Sequence, residues 1–383
     1  MLRAGIFCIL LLLTAAASAQ SQLTLYGVID AGLIYNTHQA AGDGSRFSVE
    51  SGALQVSRWG LRGSEQIDPD MRILFSLEST LNHDTGSAGA GFGGNQFSQN
   101  GTSTSLFDRA AWLGVSGRYG TLTAGRQNIL GVESVGRADP ADLAHAATNP
   151  NVLLSGMYAG ALYGGFGSNR GGAALRQNNA LKYLSPAVEG SGFALMYAPG
   201  EQAASVRSSS YAGVSAYYSN GRDGVAAAYG VFRDQTGAAS LEAWAAGVKW
   251  RPSEQWTVRA SFAGDVVRGD ITIPMPGNPQ ANANGRRITV GGIGVDYQHF
   301  PALVSTVAAY QSRRSGDVPG RAAQYLVITK YSLSGRTVLY GSLTLAVAAS
   351  PAPQDTMLAL GIIGIGSGYR SAWRVASGMQ HVF

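Results

Sequence analysis

The segment MRILFSLE, residues 71–78, decides the fold class of this 383-residue chain. Its odd-numbered residues are all apolar, whereas its even-numbered residues include Arg72, Ser76 and Glu78. Successive side chains of a β-strand point to opposite faces, so a period of two predicts a strand with one apolar and one charged face.

The same alternation recurs along the chain, between turns of two kinds. It is present in RWGLRGSE, LEAWAAGVKW and EQWTVRASF, where Lys249 and Arg259 lie opposite rows of apolar side chains. Short turns between the candidate strands read EQIDPD, SGRYG, SPAVEGSG, SNGRDG, RPSEQ, HFPA and SLSGR. The connections between these hairpins are longer and rich in Gly, Ser, Asn and Gln. Short turns that alternate with long polar loops are typical of a transmembrane β-barrel.

A closed barrel explains this pattern better than a soluble sandwich does. A soluble sheet must bury its apolar face against a second layer, and the chain shows no helical period that would supply one. In a membrane the apolar face can point to lipid, provided that the sheet closes and leaves no backbone group unpaired.

We count sixteen strands between Gln22 and Phe383, assuming that residues 356–367 belong to the last external loop or extend the strand before it. That segment could also be a strand of its own, but bacterial single-chain barrels have even strand numbers. The predicted fold is all-β, a transmembrane antiparallel β-barrel. Sixteen strands can enclose a water channel rather than a packed core.

Composition supports an exported membrane protein. Only 13% of the residues are charged, and the net charge of +5 is too small and too scattered to predict a nucleic-acid surface. The only cysteine, Cys8, lies in MLRAGIFCILLLLTAAASAQ, which reads as a signal peptide over residues 1–19 with cleavage after Ala19. Residues 20–383 are then the barrel domain. This segment contains no run of 18 apolar residues, so no membrane-spanning helix is predicted in it.

Several motifs carry a resemblance to a known family. QLTLYGVIDAGLIY, SRWGLRGSE, RAAWLGVSGRYGTLTAGRQ, RQNNALKYLSPAVEGSGFALMYAPGE, YSLSGRT and GMQHVF occur in this order. The chain thereby resembles the general, trimeric porins of Gram-negative bacteria, of the neisserial and β-proteobacterial type.

The resemblance implies a sixteen-stranded barrel with short periplasmic turns, long surface loops and a third loop that folds inward. It further implies passive diffusion of small hydrophilic solutes across the outer membrane. We expect a homotrimer in contact with outer-membrane lipids and lipopolysaccharide, with no cofactor and no nucleic-acid partner.

Alternation also predicts the pore lining. If Trp59 and its apolar neighbours face lipid, then Arg58, Arg62 and Arg72 face water, because a charge at the lipid midplane costs about 2–4 kcal/mol. The resemblance places the arginine of the SR-aromatic-G run, here Arg58, at the constriction. Four further residues are predicted to join this basic wall: Arg109, Arg126, Arg176 and Lys182. Of these, Arg126 shares a face with Leu122 and Ala124, which favours a position at a strand end.

The long connection over residues 128–175 is the candidate inward loop, and its carboxylates are Glu133, Asp139 and Asp142. An acidic loop against a basic wall would create a transverse field that disfavours apolar solutes, and rings of Arg and Lys favour anions. We therefore expect a weak anion preference. Relatives often carry a Pro-Glu-Phe-Gly-Gly run in this loop, whereas this chain has LGVESVGRADPADLA, so the acidic positions stay open.

Four other interpretations stay open at this point. The terminal Phe383 resembles the aromatic residue that the barrel-assembly machinery recognises, although it could simply end an edge strand. A substrate-specific channel would need a saturable site in the pore, and an adhesive barrel would have a plugged lumen. An outer-membrane hydrolase is the least favoured, because none of the five histidines lies near a GxSxG or HExxH motif.

Overall fold

The computed structural model describes residues 21–38, 44–88, 105–144, 166–168, 175–203, 205–272, 282–316, 318–360, 365 and 368–383. The predicted signal peptide, with Cys8, lies outside these residues. Much of the predicted inward loop (145–165 and 169–174) and residues 361–364 and 366–367 lie outside them as well.

The described residues are almost entirely β-structure. The strands are β1 (Ser21–Asn36), β2 (Arg46–Ser51), β3 (Arg58–Asp68), β4 (Met71–Asn82), β5 (Ser87–Ala88), β6 (Ala110–Gly117), β7 (Gly120–Asn128), β8 (Arg176–Leu184), β9 (Ser191–Ala198), β10 (Tyr211–Ser219), β11 (Gly224–Arg233), β12 (Ser240–Trp250), β13 (Trp256–Arg268), β14 (Arg287–Phe300), β15 (Leu303–Ser315), β16 (Gly320–Ser332), β17 (Thr337–Ala348) and β18 (Ser371–Val382). Two helices lie in the connections, α1 (Leu130–Gly136) and α2 (Pro353–Leu360).

These strands form a closed antiparallel barrel with sixteen strand positions among the described residues. β2 and β3 share one position, because both pair with β1. β5 adds no position, because it pairs only with the loop end of β4, at Leu81 and Asn82. The ring closes where residues 28–36 of β1 pair with residues 374–382 of β18. This confirms the predicted fold class and strand count. Residues 356–360 belong to α2, in the connection between β17 and β18, and not to a further strand.

The two faces of the barrel differ as the alternation predicts. On β16, Tyr325 and Val327 are 51% and 44% exposed on the outside, whereas Leu326 and Ile328 are buried on the inside. A lipid-facing band of exposed apolar side chains follows from this alternation. The inner face is less uniform than a simple polar lining, because apolar inner residues pack against chain segments that fold into the barrel.

Two such segments lie next to the barrel closure. Helix α2 lies on the inner face of β15 and β16, where the Arg314 guanidinium donates to the Gln354 carbonyl (3.1 Å) and the Arg321 backbone N–H donates to the Asp355 carboxylate (2.6 Å). Residues 52–57, between β2 and β3, also turn inward and bury Leu54. The inner space is therefore narrowed near the strands that close the ring.

Candidate channel constriction

The connection after β7 folds into the barrel, as predicted for the third loop. Helix α1 packs against β9 to β12, and Tyr310 of β15 donates its hydroxyl to Asp139. Tyr310 is buried, on the face of β15 opposite to the exposed Val307. A segment that touches the buried faces of so many consecutive strands lies inside the ring.

Close approach of the loop to the wall depends on the glycines of β14. A Cβ atom at Gly294 would lie 2.1 Å from the Pro140 carbonyl oxygen, and one at Gly292 would lie 2.8 Å from the Pro140 ring. Contacts this short do not occur between real atoms. The loop can therefore lie flat against β14 only because both positions lack a side chain.

The three predicted loop carboxylates have different surroundings. Glu133 pairs with Lys182 (Nζ–Oε1 2.6 Å). Asp139 is fully buried and accepts hydrogen bonds from the backbone N–H groups of Ala141 (3.0 Å) and Leu143 (2.9 Å), which makes it an anchor of the loop backbone. Only the Asp142 side chain is half exposed, so it is the loop carboxylate best placed to meet a solute.

Asp142 faces two basic side chains of the wall. Its Oδ1 lies 3.5 Å from Arg259 Nη2 on β13, and its Oδ2 lies 4.0 Å from Lys330 Nζ on β16. Arg259 also pairs with Asp296 of the neighbouring strand, whose other oxygen accepts from the Thr306 hydroxyl (2.9 Å). The acidic loop therefore meets basic wall residues at two places: Glu133 pairs with Lys182 of β8, which the sequence singled out, and Asp142 faces β13 and β16, which it did not.

A second charged cluster lies on β3, β4 and the start of β6. Arg109 and Arg58 approach the two carboxylate oxygens of Glu78 at 2.6 and 3.6 Å. Tyr26 donates its hydroxyl to the same carboxylate (3.0 Å), and the Arg62 guanidinium lies 4.0 Å from the centre of the Tyr26 ring. Within the described residues Arg62 makes no ion pair. The structure thus brings together three of the predicted arginines.

The other predicted wall residues lie apart from this cluster. Arg72 is exposed near the short turn that begins β4. Arg126 keeps to the face of Leu122 at the loop end of β7, where it donates to the Asp108 carbonyl and to Asn178 (both 2.6 Å). Between Lys182 and Arg176 the pairing of β8 with β7 shifts register, near Gly125 and Gln127. The alternation is therefore interrupted between these two residues, both of which are buried.

Sequence reasoning did not include Arg259, Lys330 and Asp296 among the candidate site residues. The alternation around Arg259 was a usable signal, since Arg259 and Lys249 are direct cross-strand partners on the charged face. The partnership with Asp142 depends on the loop conformation and leaves no trace in the periodicity.

The chain ends against the first strand. The backbone N–H of Phe383 donates to the Gly27 carbonyl (3.1 Å), and the Gly27 N–H donates back to Phe383 (3.0 Å). Val375 and Met379 are exposed on the outer face of β18. Phe383 has the same parity along the strand and is exposed as well. The terminal residue thus adds to the pairing that closes the barrel.

The described residues contain no group of three or more His, Cys, Asp or Glu side chains that could hold a metal ion. None of the helices described is both long and apolar enough to cross a membrane.

Comparison with known proteins gives a consistent result. The model of the Gram-negative porin family matches residues 8–346. An outer membrane porin protein of Bordetella pertussis is 29% identical over 195 residues, which are 48% of this chain and 44% of that protein. Outer membrane porin protein 32 of Delftia acidovorans is 26% identical over 342 residues, which are 86% of this chain and 85% of that protein. A solved anion-selective porin from Comamonas acidovorans is 19% identical and superimposes with a TM-score of 0.76, covering 95% of this chain and 100% of that one.

Proposed function

This chain belongs to the Gram-negative porin family and is an outer-membrane channel protein, and we propose that its lumen passes small hydrophilic anions more readily than cations. The family is one of channels rather than enzymes, in line with the prediction from the sequence. The solved Comamonas protein is described as anion-selective, which supports the same preference here.

The cluster around Glu78 carries the proposal. The guanidinium groups of Arg58 and Arg109 lie beside the Glu78 carboxylate, and that of Arg62 lies over the ring of Tyr26, which donates to the same carboxylate. Arg62 is exposed, so its charge is available to a solute in water. Such an excess of fixed positive charge attracts anions and repels cations.

The cluster and the inward loop bound the lumen from opposite sides. Counted along the sixteen positions, β13 lies eight positions from β4, which is half of the ring. On the β13 side the negative charge of Asp142 is offset by Arg259 and Lys330. The loop therefore narrows the channel without making that side strongly acidic, and the positive charge of the Glu78 cluster dominates.

Ion selectivity in planar bilayers tests this proposal. With a tenfold KCl gradient, the wild-type protein should give a reversal potential on the anion-selective side. Arg62→Gln should move it toward cation preference, whereas Arg222→Gln, in the short turn between β10 and β11, should leave it unchanged. A cation-selective wild type, or equal shifts in both variants, would contradict the assignment of the Glu78 cluster.

The same recordings separate the alternatives. Current that a single solute blocks at low concentration would favour a substrate-specific channel. The absence of conductance in correctly folded protein would favour an adhesin or a hydrolase.

We also propose that the protein assembles as a homotrimer and that Phe383 is read by the barrel-assembly machinery. The family resemblance of the sequence supports both. Light scattering of the protein in detergent gives the number of chains in each particle. In the bilayer, insertion events that each add three equal conductance steps would support the trimer. A monomer in mild detergent that still conducts in single steps would contradict it.

A further inference from the structure

Tyr26 lies at the centre of the Glu78 cluster. On β1 it is the direct cross-strand partner of Gly60 on β3, and Gly60 is in turn opposite Glu78 on β4. A Cβ atom at Gly60 would lie 2.8 Å from the ring carbon Cζ of Tyr26 and equally close to its hydroxyl. The ring therefore lies over the bare backbone of β3, and its hydroxyl reaches the Glu78 carboxylate at 3.0 Å.

Two arginines of β3 lie on either side of this ring. Arg58 and Arg62 are each two residues from Gly60 and share its face of the strand. Both are therefore diagonal neighbours of Glu78 on β4. Arg58 approaches the Glu78 carboxylate at 3.6 Å, whereas the guanidinium of Arg62 lies over the Tyr26 ring, 4.0 Å from its centre. Of two arginines in corresponding positions, only one is paired with the carboxylate.

Arg62 could reach Glu78 if the ring were absent. It is directly opposite Ser76 on β4, two residues from Glu78. Diagonal neighbours in an antiparallel pair are about 7–8 Å apart, a distance that long side chains can span. Arg58 makes this approach from the other side. The Tyr26 ring, which Arg62 covers and whose hydroxyl contacts Glu78, lies between the two charges.

Stacking on the ring leaves the charge of Arg62 available to the lumen. A cation over the face of an aromatic ring is attracted by the ring without being neutralised. Arg62 is exposed, so a passing anion can approach it. A cation in contact with a carboxylate attracts anions less, because the fields of the two opposite charges largely cancel. The tyrosine thus keeps one cation unpaired although a carboxylate is within reach.

We propose that Tyr26 is a positioning residue for ion selectivity, because its ring holds Arg62 away from Glu78 and keeps this guanidinium available to anions in the lumen. The inference rests on the proposed anion preference and adds the residue that maintains it. The hydroxyl is secondary for this role, since Glu78 already has Arg58 and Arg109 as partners. The aromatic ring itself is what the position requires.

Variants of Tyr26 in planar bilayers test the proposal. Tyr26→Ala removes the ring, whereas Tyr26→Phe is the matched control that keeps the ring and removes only the hydroxyl. Each change is made in the wild type and in the Arg62→Gln background, and reversal potentials are measured in a KCl gradient. Heat-modified gel mobility reports whether each variant is folded. If Tyr26→Ala does not fold, Tyr26→Thr takes its place, because a β-branched side chain is suited to a strand.

In the wild-type background, Tyr26→Ala should lower the anion-to-cation permeability ratio about twofold, because Arg62 can then pair with Glu78. Tyr26→Phe should keep the wild-type ratio. In the Arg62→Gln background neither change should shift the ratio further, since the cation on which the ring acts has been removed. This non-additivity is the expected sign of coupling between two residues in contact.

An unchanged ratio in Tyr26→Ala would overturn the proposal. An equal loss in the Arg62→Gln background would also overturn it, because the missing ring would then act only by widening the lumen. An equal loss in Tyr26→Phe would assign the effect to the hydroxyl and not to the ring. A cation-selective wild type would contradict the proposed anion preference itself, so failure of the channel proposal and failure of the role of Tyr26 are distinguishable.

Discussion

The Tyr340 hydroxyl on β17 donates a 2.6 Å hydrogen bond to the Asp30 carboxylate on β1, although β18 lies between these strands. The crossing is possible because Gly378 leaves the surface of β18 bare, and a Cβ there would lie 2.4 Å from the Tyr340 hydroxyl. The other Asp30 oxygen accepts from the backbone N–H groups of Leu54 (3.1 Å) and Gln55 (2.6 Å). One buried carboxylate thus holds β1, β17 and the inward residues 52–57 together.

Removal of this hydroxyl should destabilise the barrel closure. Tyr340→Phe leaves the Asp30 oxygen without its side-chain donor, which costs about 1–3 kcal/mol for a buried polar group. The temperature at which the folded band disappears on a semi-native gel should fall. Tyr325→Phe, on the lipid-facing side of β16, is the matched control and should leave that temperature unchanged. An equal effect of both changes would show that the phenol of Tyr340 has no special role in closure.

A side chain at Gly294 should push the inward loop away from the wall. In Gly294→Ala the new methyl group would collide with the Pro140 carbonyl, so residues 139–143 must move toward the lumen. Single-channel conductance should fall. Gly341→Ala is the control, because no heavy atom of the described residues lies within 4 Å of the Cβ position there. Unchanged conductance in Gly294→Ala would mean that the loop can slide along β14 without narrowing the channel.

Neutralisation of Asp142 should increase the anion preference. The Asp142→Asn change removes the loop carboxylate that faces Arg259 and Lys330 and leaves these two cations less compensated. A unit charge about 10 Å from a passing ion in water contributes about 0.4 kcal/mol, with opposite sign for anions and cations, which is roughly a fourfold change in the anion-to-cation permeability ratio. Reversal potentials in a KCl gradient measure it. Glu254→Gln, at the short turn after β12, should have no effect, and a shift toward cations in Asp142→Asn would rule out the expected field.

Replacement of the terminal aromatic residue should separate assembly from stability. If the assembly machinery reads Phe383, Phe383→Ala should lower the amount of barrel in the outer membrane of cells. The same variant, refolded from urea into detergent, should still form a barrel, because the backbone bonds between residues 27 and 383 remain. Val382→Ala is the neighbouring control. A similar loss of folding in detergent would assign Phe383 a purely structural role.

Alternation of side chains predicted the sheet well because burial in a barrel follows a strict period of two. It predicts Arg58 and Arg62 on the charged face of one strand and Lys249 and Arg259 on the charged faces of two others; in the structure Lys249 and Arg259 are cross-strand partners. Local irregularities in a strand interrupt this two-residue period. Near Arg176 the strand contains Asn179 in the left-handed region (φ 56°) and the register shifts. Such a register shift cannot be predicted from the alternation of apolar and polar residues.

The site was less predictable than the sheet because its charges meet through a loop. Asp139 and Asp142 are three residues apart and chemically identical, yet one is an internal anchor and the other faces the wall. This difference arises from packing against Tyr310 and Pro140, which are set by contacts with strands far away in the sequence. A resemblance can place the loop inside the barrel, but it cannot choose between neighbouring carboxylates.

The bond between Asp30 and Tyr340 joins residues that are 310 positions apart, and this separation has a consequence for how the barrel matures. In any partly built barrel in which β1 and β17 have not yet come together around β18, the Asp30 carboxylate lacks the Tyr340 donor. A desolvated carboxylate oxygen without a donor is unfavourable, so a barrel in which β1 and β17 are still apart is less stable than the closed one. The contact therefore makes completion of the barrel cooperative, and it disfavours open intermediates that would leak.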